Sequence, residues 1–191
     1  MTDKPTDSPG SEQPSPPAPS LAERLSFWQV SLGLFLFWFV ADQLTKLWAM
    51  RALRPDWWGS PFVTAEEFAQ TPIITIIPGF LQFRYAENTG AAFSILEGQT
   101  LLLAGVSVLA SVGLVVYWFF LPPAERWGRA AVALIASGAV GNLVDRAYRG
   151  AVVDFVDAYV GQYHWPTFNV ADSCISVGAA ILVVRFLQGK I

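Results

Sequence analysis

Residues 100–121 read TLLLAGVSVLASVGLVVYWFFL and contain no charged side chain. A helix rises about 1.5 Å per residue and needs about 20 apolar residues to cross the hydrocarbon of a bilayer. The stretch meets that requirement and stops at Pro122-Pro123, a pair that cannot continue a helix. Working outward, three more apolar segments have comparable length. Phe27 to Met50 precedes it, with Asp42, Gln43, Thr45 and Lys46 toward its end. Arg129 to about Ala147 follows, rich in Ala and Gly, with Asn142, Asp145 and Arg146 in its last turns. Val170 to Leu187 closes the set, with Asp172 near its start and Arg185 in its last turn. The expected fold class is an all-α polytopic membrane protein with four transmembrane helices, and four spans place both termini on one side.

Composition agrees. Of 191 residues 53% are hydrophobic and 14% charged, against about one quarter charged in a soluble domain. The 15 Gly permit close helix contact, and the 14 Phe and 8 Trp suit the headgroup level. A net charge of -3 offers no basic surface for nucleic acid, and a single His offers no imidazole cluster for a metal. No metal and no cofactor are expected. The lone Cys174 cannot form an intramolecular disulfide, and only proximity in sequence would pair it with His164 as a nucleophile.

Residues 1–20 hold six of the 13 prolines among Ser, Asp and Glu, and have too little apolar mass to offset the entropy of ordering. Residues 1–25 therefore read as a disordered tail and 26–191 as one membrane domain. The start is no convincing signal peptide, so the first helix should remain in the mature protein. Two long connections, about 51–99 and 148–169, lie on the same side of the bundle. The first has a short-strand look: Ile73 to Ile77, a turn at Pro78-Gly79, then Phe80 to Tyr85. The link 122–128 is too short for a site of its own.

Alternating helix directions bring Asp42, Lys46, Asn88, Asn142, Asp145, Arg146 and Asp172 to one membrane face. Polar groups at that depth are costly enough to imply a function. A transport path would leave polar positions through both halves of the bundle, whereas residues 100–121 offer only Ser107 and Ser111 beyond the opening Thr100. Lys4, Arg24, Arg126, Arg129, Arg185 and Lys190 flank the short-loop side, and Lys46, Arg51, Arg54, Arg84, Arg146 and Arg149 the other. That even split leaves orientation open unless Lys46 and Arg146 are discounted as intramembrane partners.

Asp42 and Lys46 are i,i+4 neighbours and can pair. Asp145 and Arg146 point differently, so each needs another partner. Asp154 and Asp172 have no such cation nearby in sequence. Two carboxylates brought close by the connection could share a proton and activate water against a peptide bond. They could equally cap a turn and a helix, and the residues alone leave both readings open.

From about Ser26 to Leu187 the chain resembles the lipoprotein signal peptidase (signal peptidase II) family. The blocks that carry the resemblance are Asp42-Gln43-Leu44-Thr45-Lys46, Asn88-Thr89-Gly90-Ala91-Ala92-Phe93, Gly141-Asn142-Leu143-Val144-Asp145-Arg146 running on to Gly150-Ala151-Val152-Val153-Asp154-Phe155, and Phe168-Asn169-Val170-Ala171-Asp172. They stand in the family's order at the matching ends of four spans. The resemblance implies an intramembrane aspartic endopeptidase with Asp154 and Asp172 as catalytic residues. Asp42, Lys46, Asn88, Gly90, Asn142, Asp145, Arg146 and Asn169 would line or support the site. The implied substrate is a bacterial prolipoprotein carrying diacylglycerol on the cysteine after its signal peptide, cut just before that cysteine. The expected setting is the cytoplasmic (inner) membrane, among its lipids, with both termini cytoplasmic, the protein acting as a monomer, and the site and a small β-cradle near the periplasmic face. Two features depart from the family pattern: a longer segment from about Arg54 to Thr71, and Glu87 immediately before Asn88.

Overall fold

The computed structural model describes residues 21–60, 64–90, 99–122 and 125–191. Residues 1–20 of the expected tail, Ala91 to Phe93 and Pro123 lie outside them; residues 21–25, also expected in the tail, instead open the first helix, their Leu-Ala-Glu-Arg-Leu sequence being made of good helix formers. Four long helices form where the apolar segments fall: α1 (Leu21–Ala52), α3 (Thr100–Phe120), α4 (Arg126–Arg149) and α5 (Val170–Leu187). All four are long and apolar enough to cross a membrane. A short helix α2 (Ala65–Ala69) and strands β1 (Ile73–Ile77), β2 (Leu81–Asn88), β3 (Val152–Val160) and β4 (Tyr163–His164) complete the fold.

Helix α4 is the centre of the bundle, because 61% of its most apolar 18-residue stretch is buried against 11% to 17% for the others. Its buried positions include Ala131, Ala133, Ala136, Gly138, Ala139 and Gly141, which let α1, α3 and α5 approach. A Cβ on Gly138 would lie 2.3 Å from the Ala171 carbonyl oxygen, and one on Gly141 would lie 2.5 Å from Asp42 Oδ2. At both positions the close helix contact that the glycine content permits is observed. The other faces of α1, α3 and α5 expose Leu36, Phe37, Leu109, Phe120 and Val183, as a lipid-facing surface requires. Ser107 and Ser111 turn their hydroxyls back to the carbonyls of Leu103 and Ser107, so α3 presents no polar path.

The ends of the helices have local causes. Glu125 caps α4 by accepting from the Gly128 N–H, and Gly150 ends it in the left-handed conformation at φ 76°. Only Gly150 and Ala151 then separate α4 from β3. At the start of α5, Asn169 and Asp172 form a reciprocal capping box.

The four strands form one antiparallel sheet in sequence order. The β1–β2 hairpin turns at Pro78-Gly79, as its composition predicts, with Gly79 at φ 79°. One boundary differs from expectation, β2 running on to Asn88, and a strand of 9 residues opens at Val152 in the second connection, where none was expected. The cause is tertiary, since β3 gains its ladder from β2, with Leu81 opposite Ala158 and Asn88 opposite Val152. Ala49 and Leu53 at the end of α1 pack with Tyr85, Val153 and Phe155, which seats the sheet on the bundle. The long segment after Arg54 rests on the same core through Trp58, whose ring meets Tyr85 edge-on at 4.9 Å.

Candidate active site

Lys46 is the hub of the polar cluster at the sheet end of the bundle, and it is fully buried. Its Nζ lies 2.9 Å from Asp42 Oδ2, 2.9 Å from Asp145 Oδ2 and 2.9 Å from Asn142 Oδ1. Asp42 also accepts the Ala171 N–H at 2.9 Å, tying α1 to the first turn of α5. Asp145 pairs further with Arg149 and accepts the Val153 N–H at 3.2 Å, tying α4 to β3. These charges are therefore braces. The pairing of Asp42 with Lys46 expected from i,i+4 spacing is present; the roles of Arg149 and the Val153 amide need the folded chain to be seen.

From that base two asparagines reach the aspartates. Asn169 Nδ2 donates to Asp154 Oδ1 at 2.7 Å, and Asn142 Nδ2 donates to Asp172 Oδ1 at 2.8 Å. The two amides meet, Asn169 Nδ2 lying 3.2 Å from Asn142 Oδ1. Asp154 and Asp172 thus occupy one hydrogen-bonded constellation, the first on β3 and the second in the first turn of α5. Asp172 is also the capping-box partner of Asn169, accepting its N–H at 3.2 Å. Capping and site membership coexist there, whereas Asp154 lies within a strand.

Burial pushes the Asp154 carboxyl up to about 7, and the nearby Asp172 carboxylate pushes the same way. Hydrogen bonds from Asn88 and Asn169 and the charge of Lys46 oppose the rise without cancelling it. The Arg146 guanidinium feels the charges of Asp172, Asp154 and Asp145. Its Nη2 donates to the Gly90 carbonyl at 2.8 Å, and its buried Nε has no hydrogen-bond partner among the described residues. Asn88 accepts the Gly90 N–H at 2.9 Å, which shapes the turn leaving β2.

Two adjoining clefts open on this constellation. One, of about 610 Å³, takes in Asn142, Arg146 and Asp172 and continues along α5 past Ile175 and Val177. The other, of about 440 Å³, takes in Gly90, Asp154, Arg84 and His164. Asn88 and the Trp165-Pro166-Thr167 wall border both. Among the described residues no group of three or more His, Cys, Asp or Glu side chains could hold a metal ion. All ten expected residues are brought together: Asp42, Lys46 and Asp145 beneath the clefts, Asn169 buried between the carboxylates, and the other six at cleft surfaces.

Sequence reading missed a further buried carboxylate, Asp157, held by Gln82, Arg84 and His164 beside the cleft of Asp154. Its signal was faint: a second Asp three positions after Asp154 in a strand otherwise apolar or aromatic.

Residues 34–188 match the family described as signal peptidase (SPase) II. A lipoprotein signal peptidase of Clostridium novyi (strain NT) is 38% identical over 159 residues, covering 82% of this chain and 97% of that protein. One of Vibrio cholerae serotype O1 is 39% identical over 164 residues, covering 83% and 87%. Among solved structures, a bacterial membrane enzyme determined by the in meso method at 2.3 Å resolution superposes with a TM-score of 0.65 at 27% identity, over 84% of this chain and 88% of that one. A match of this extent, over all four spans and both halves of the polar constellation, places the chain in the signal peptidase II family.

Proposed function

We propose that this enzyme removes signal peptides from diacylglyceryl-modified bacterial prolipoproteins, cutting before the lipidated cysteine, and that Asp154 and Asp172 are its catalytic pair. The observation that carries the assignment is the constellation itself, in which Asn169 and Asn142, hydrogen-bonded to each other, each hold one of the two carboxylates at the surface of two adjoining open clefts. Charge counting supports it. Lys46 and Arg149 balance Asp42 and Asp145. That leaves Arg146 facing both Asp154 and Asp172, and the site is neutral when the pair holds one proton. Asp154, with its carboxyl raised to about 7 by burial and by its neighbour, is the carrier of that proton at rest.

Asp172 then takes a proton from a water molecule as the water oxygen attacks the scissile carbonyl carbon. Asp154 gives its proton to the carbonyl oxygen as that oxygen becomes a hydroxyl. Collapse of the tetrahedral species breaks the carbon–nitrogen bond, with the proton on Asp172 passing to the leaving amine and the hydroxyl proton returning to Asp154. Arg146 and Asn88, at the border of the clefts, hold substrate carbonyl groups in register.

A substrate anchored by two acyl chains presents its peptide bond near headgroup depth, and the site lies at the sheet end of the spans. With this function goes the setting that the family resemblance implies, an inner membrane with both termini cytoplasmic, the sheet periplasmic and the protein a monomer. Asp154→Asn and Asp172→Asn should each abolish cleavage of a lipidated precursor in detergent while leaving a folded protein. The double variant should be little worse than either, because groups acting as a unit are non-additive. Substantial turnover by either folded single variant rejects the pair.

A further inference from the structure

We infer that the cleft flanked by Arg84 and His164 binds the polypeptide on the carboxyl side of the scissile bond, the first residues of the mature lipoprotein after the lipidated cysteine. The inference rests on the function proposed above. The two clefts differ in chemistry and in place. The cleft containing Asp172 runs along α5 beside Ile175 and Val177, within a span that faces lipid, and suits the apolar signal peptide. The cleft containing Asp154 is lined by Arg84, Glu87, Thr89, His164 and Thr167, all on the sheet and its loops outside the spans. A chain crossing from one to the other passes the two aspartates. Its membrane-embedded half must lie on the α5 side, so its water-soluble half leaves over the sheet.

The polar cleft is built around a carboxylate that does not itself line it. Asp157 is fully buried, and a buried charge persists only when paired and hydrogen-bonded. Its Oδ2 lies 3.0 Å from Arg84 Nε and accepts from Gln82 Nε2 at 2.7 Å, and its Oδ1 lies 2.8 Å from His164 Nδ1. Arg84 Nη2 in turn donates to Thr167 Oγ1 at 3.3 Å, and His164 stacks on Tyr159 at 5.1 Å. The inner sides of Arg84 and His164 are thereby fixed, yet their side chains stay 41% and 37% exposed at the cleft. Arg84 thus presents a pre-oriented donor to a carbonyl oxygen of an extended peptide, and His164, its Nδ1–H directed at Asp157, presents Nε2 as an acceptor for a peptide N–H, which is sequence-tolerant recognition. Asp157 is a positioning residue, acting through Arg84 and His164.

The test compares two diacylglyceryl precursors with the same signal peptide. One ends in an amide at the lipidated cysteine, and the other continues for six residues of the mature chain. The full-length enzyme in detergent should cleave the extended precursor with kcat/KM about tenfold higher, as two or so added hydrogen bonds provide. Within each of Arg84→Gln, His164→Gln and Asp157→Asn, that ratio should fall toward one. Thr75→Ala, on β1 away from both clefts, should keep it. A ratio of one in the unmodified enzyme, or a ratio preserved in Arg84→Gln and His164→Gln, overturns the inference. The unmodified-enzyme comparison stands even where a variant fails to fold. Failure of the proposed function would show separately, as cleavage of either precursor by Asp154→Asn.

Discussion

Replacing Gly138 by alanine puts a methyl group 2.3 Å from the Ala171 carbonyl oxygen and 2.8 Å from Ile175 Cγ1. The first contact falls roughly 1 Å short of ordinary van der Waals separation, and the obstacle is backbone, so α4 and α5 must part. Overpacking of this kind costs about 1–3 kcal/mol, against about 0.5–1 kcal/mol gained by removing a helical glycine. The net effect is destabilising. The larger consequence is for the site, because Ala171 adjoins Asp172. A shift of about 1 Å would stretch the 2.8 Å bond from Asn142 to Asp172 beyond hydrogen-bonding range. Misplacement of a reacting group by that distance can cost about 100-fold in rate. Thermal unfolding in detergent, together with turnover of a lipidated precursor, measures both effects. Gly113→Ala on α3 is the control, since nothing lies within 4 Å of its new Cβ, and it should keep full turnover and stability. A Gly138→Ala protein with unchanged midpoint and turnover would refute the claim that α4–α5 contact sets the catalytic geometry.

Three further outcomes are expected. With Asp154 protonated at rest, kcat/KM should fall as pH rises through about 7. For stability, a carboxyl raised from its ordinary value near 4 contributes fully below pH 4 and loses that contribution as pH rises through about 7; the Asp154→Asn protein should lack this part of the slope in a melting series. Lys46→Met leaves Asp42 and Asp145 buried without their shared cation, and should cost about 3–5 kcal/mol in denaturation, shown by poor recovery of folded protein; normal stability would deny Lys46 its role as hub. A precursor with an unmodified cysteine should show both a lower kcat and a higher KM than its diacylglyceryl form, because two acyl anchors supply binding energy that also orients the peptide bond. Equal rates would favour a general intramembrane peptidase.

The spans, the hairpin at Pro78-Gly79 and the crowding of polar residues at one end were all legible in the sequence. Hydropathy over about 20 residues and turn chemistry at two are local properties, and alternation of direction follows from counting spans. The pairing of Asp42 with Lys46 was legible for the same reason, being one helical turn. What could not be read were relations between distant residues. Asp145 finds Lys46 on another helix, Asn169 reaches back to Asp154 and Asn142, and the Val152–Val160 strand exists because β2 supplies its ladder. Asp157 had no partner legible in the sequence; cross-strand register sets Gln82 opposite it, with Arg84 two residues further along β2. Composition and periodicity thus determine which segments enter the bilayer, since each segment settles its own transfer from water. Which carboxylates brace the bundle and which face a cleft is decided by tertiary packing, because a buried charge is governed by partners that the chain brings from far along its length.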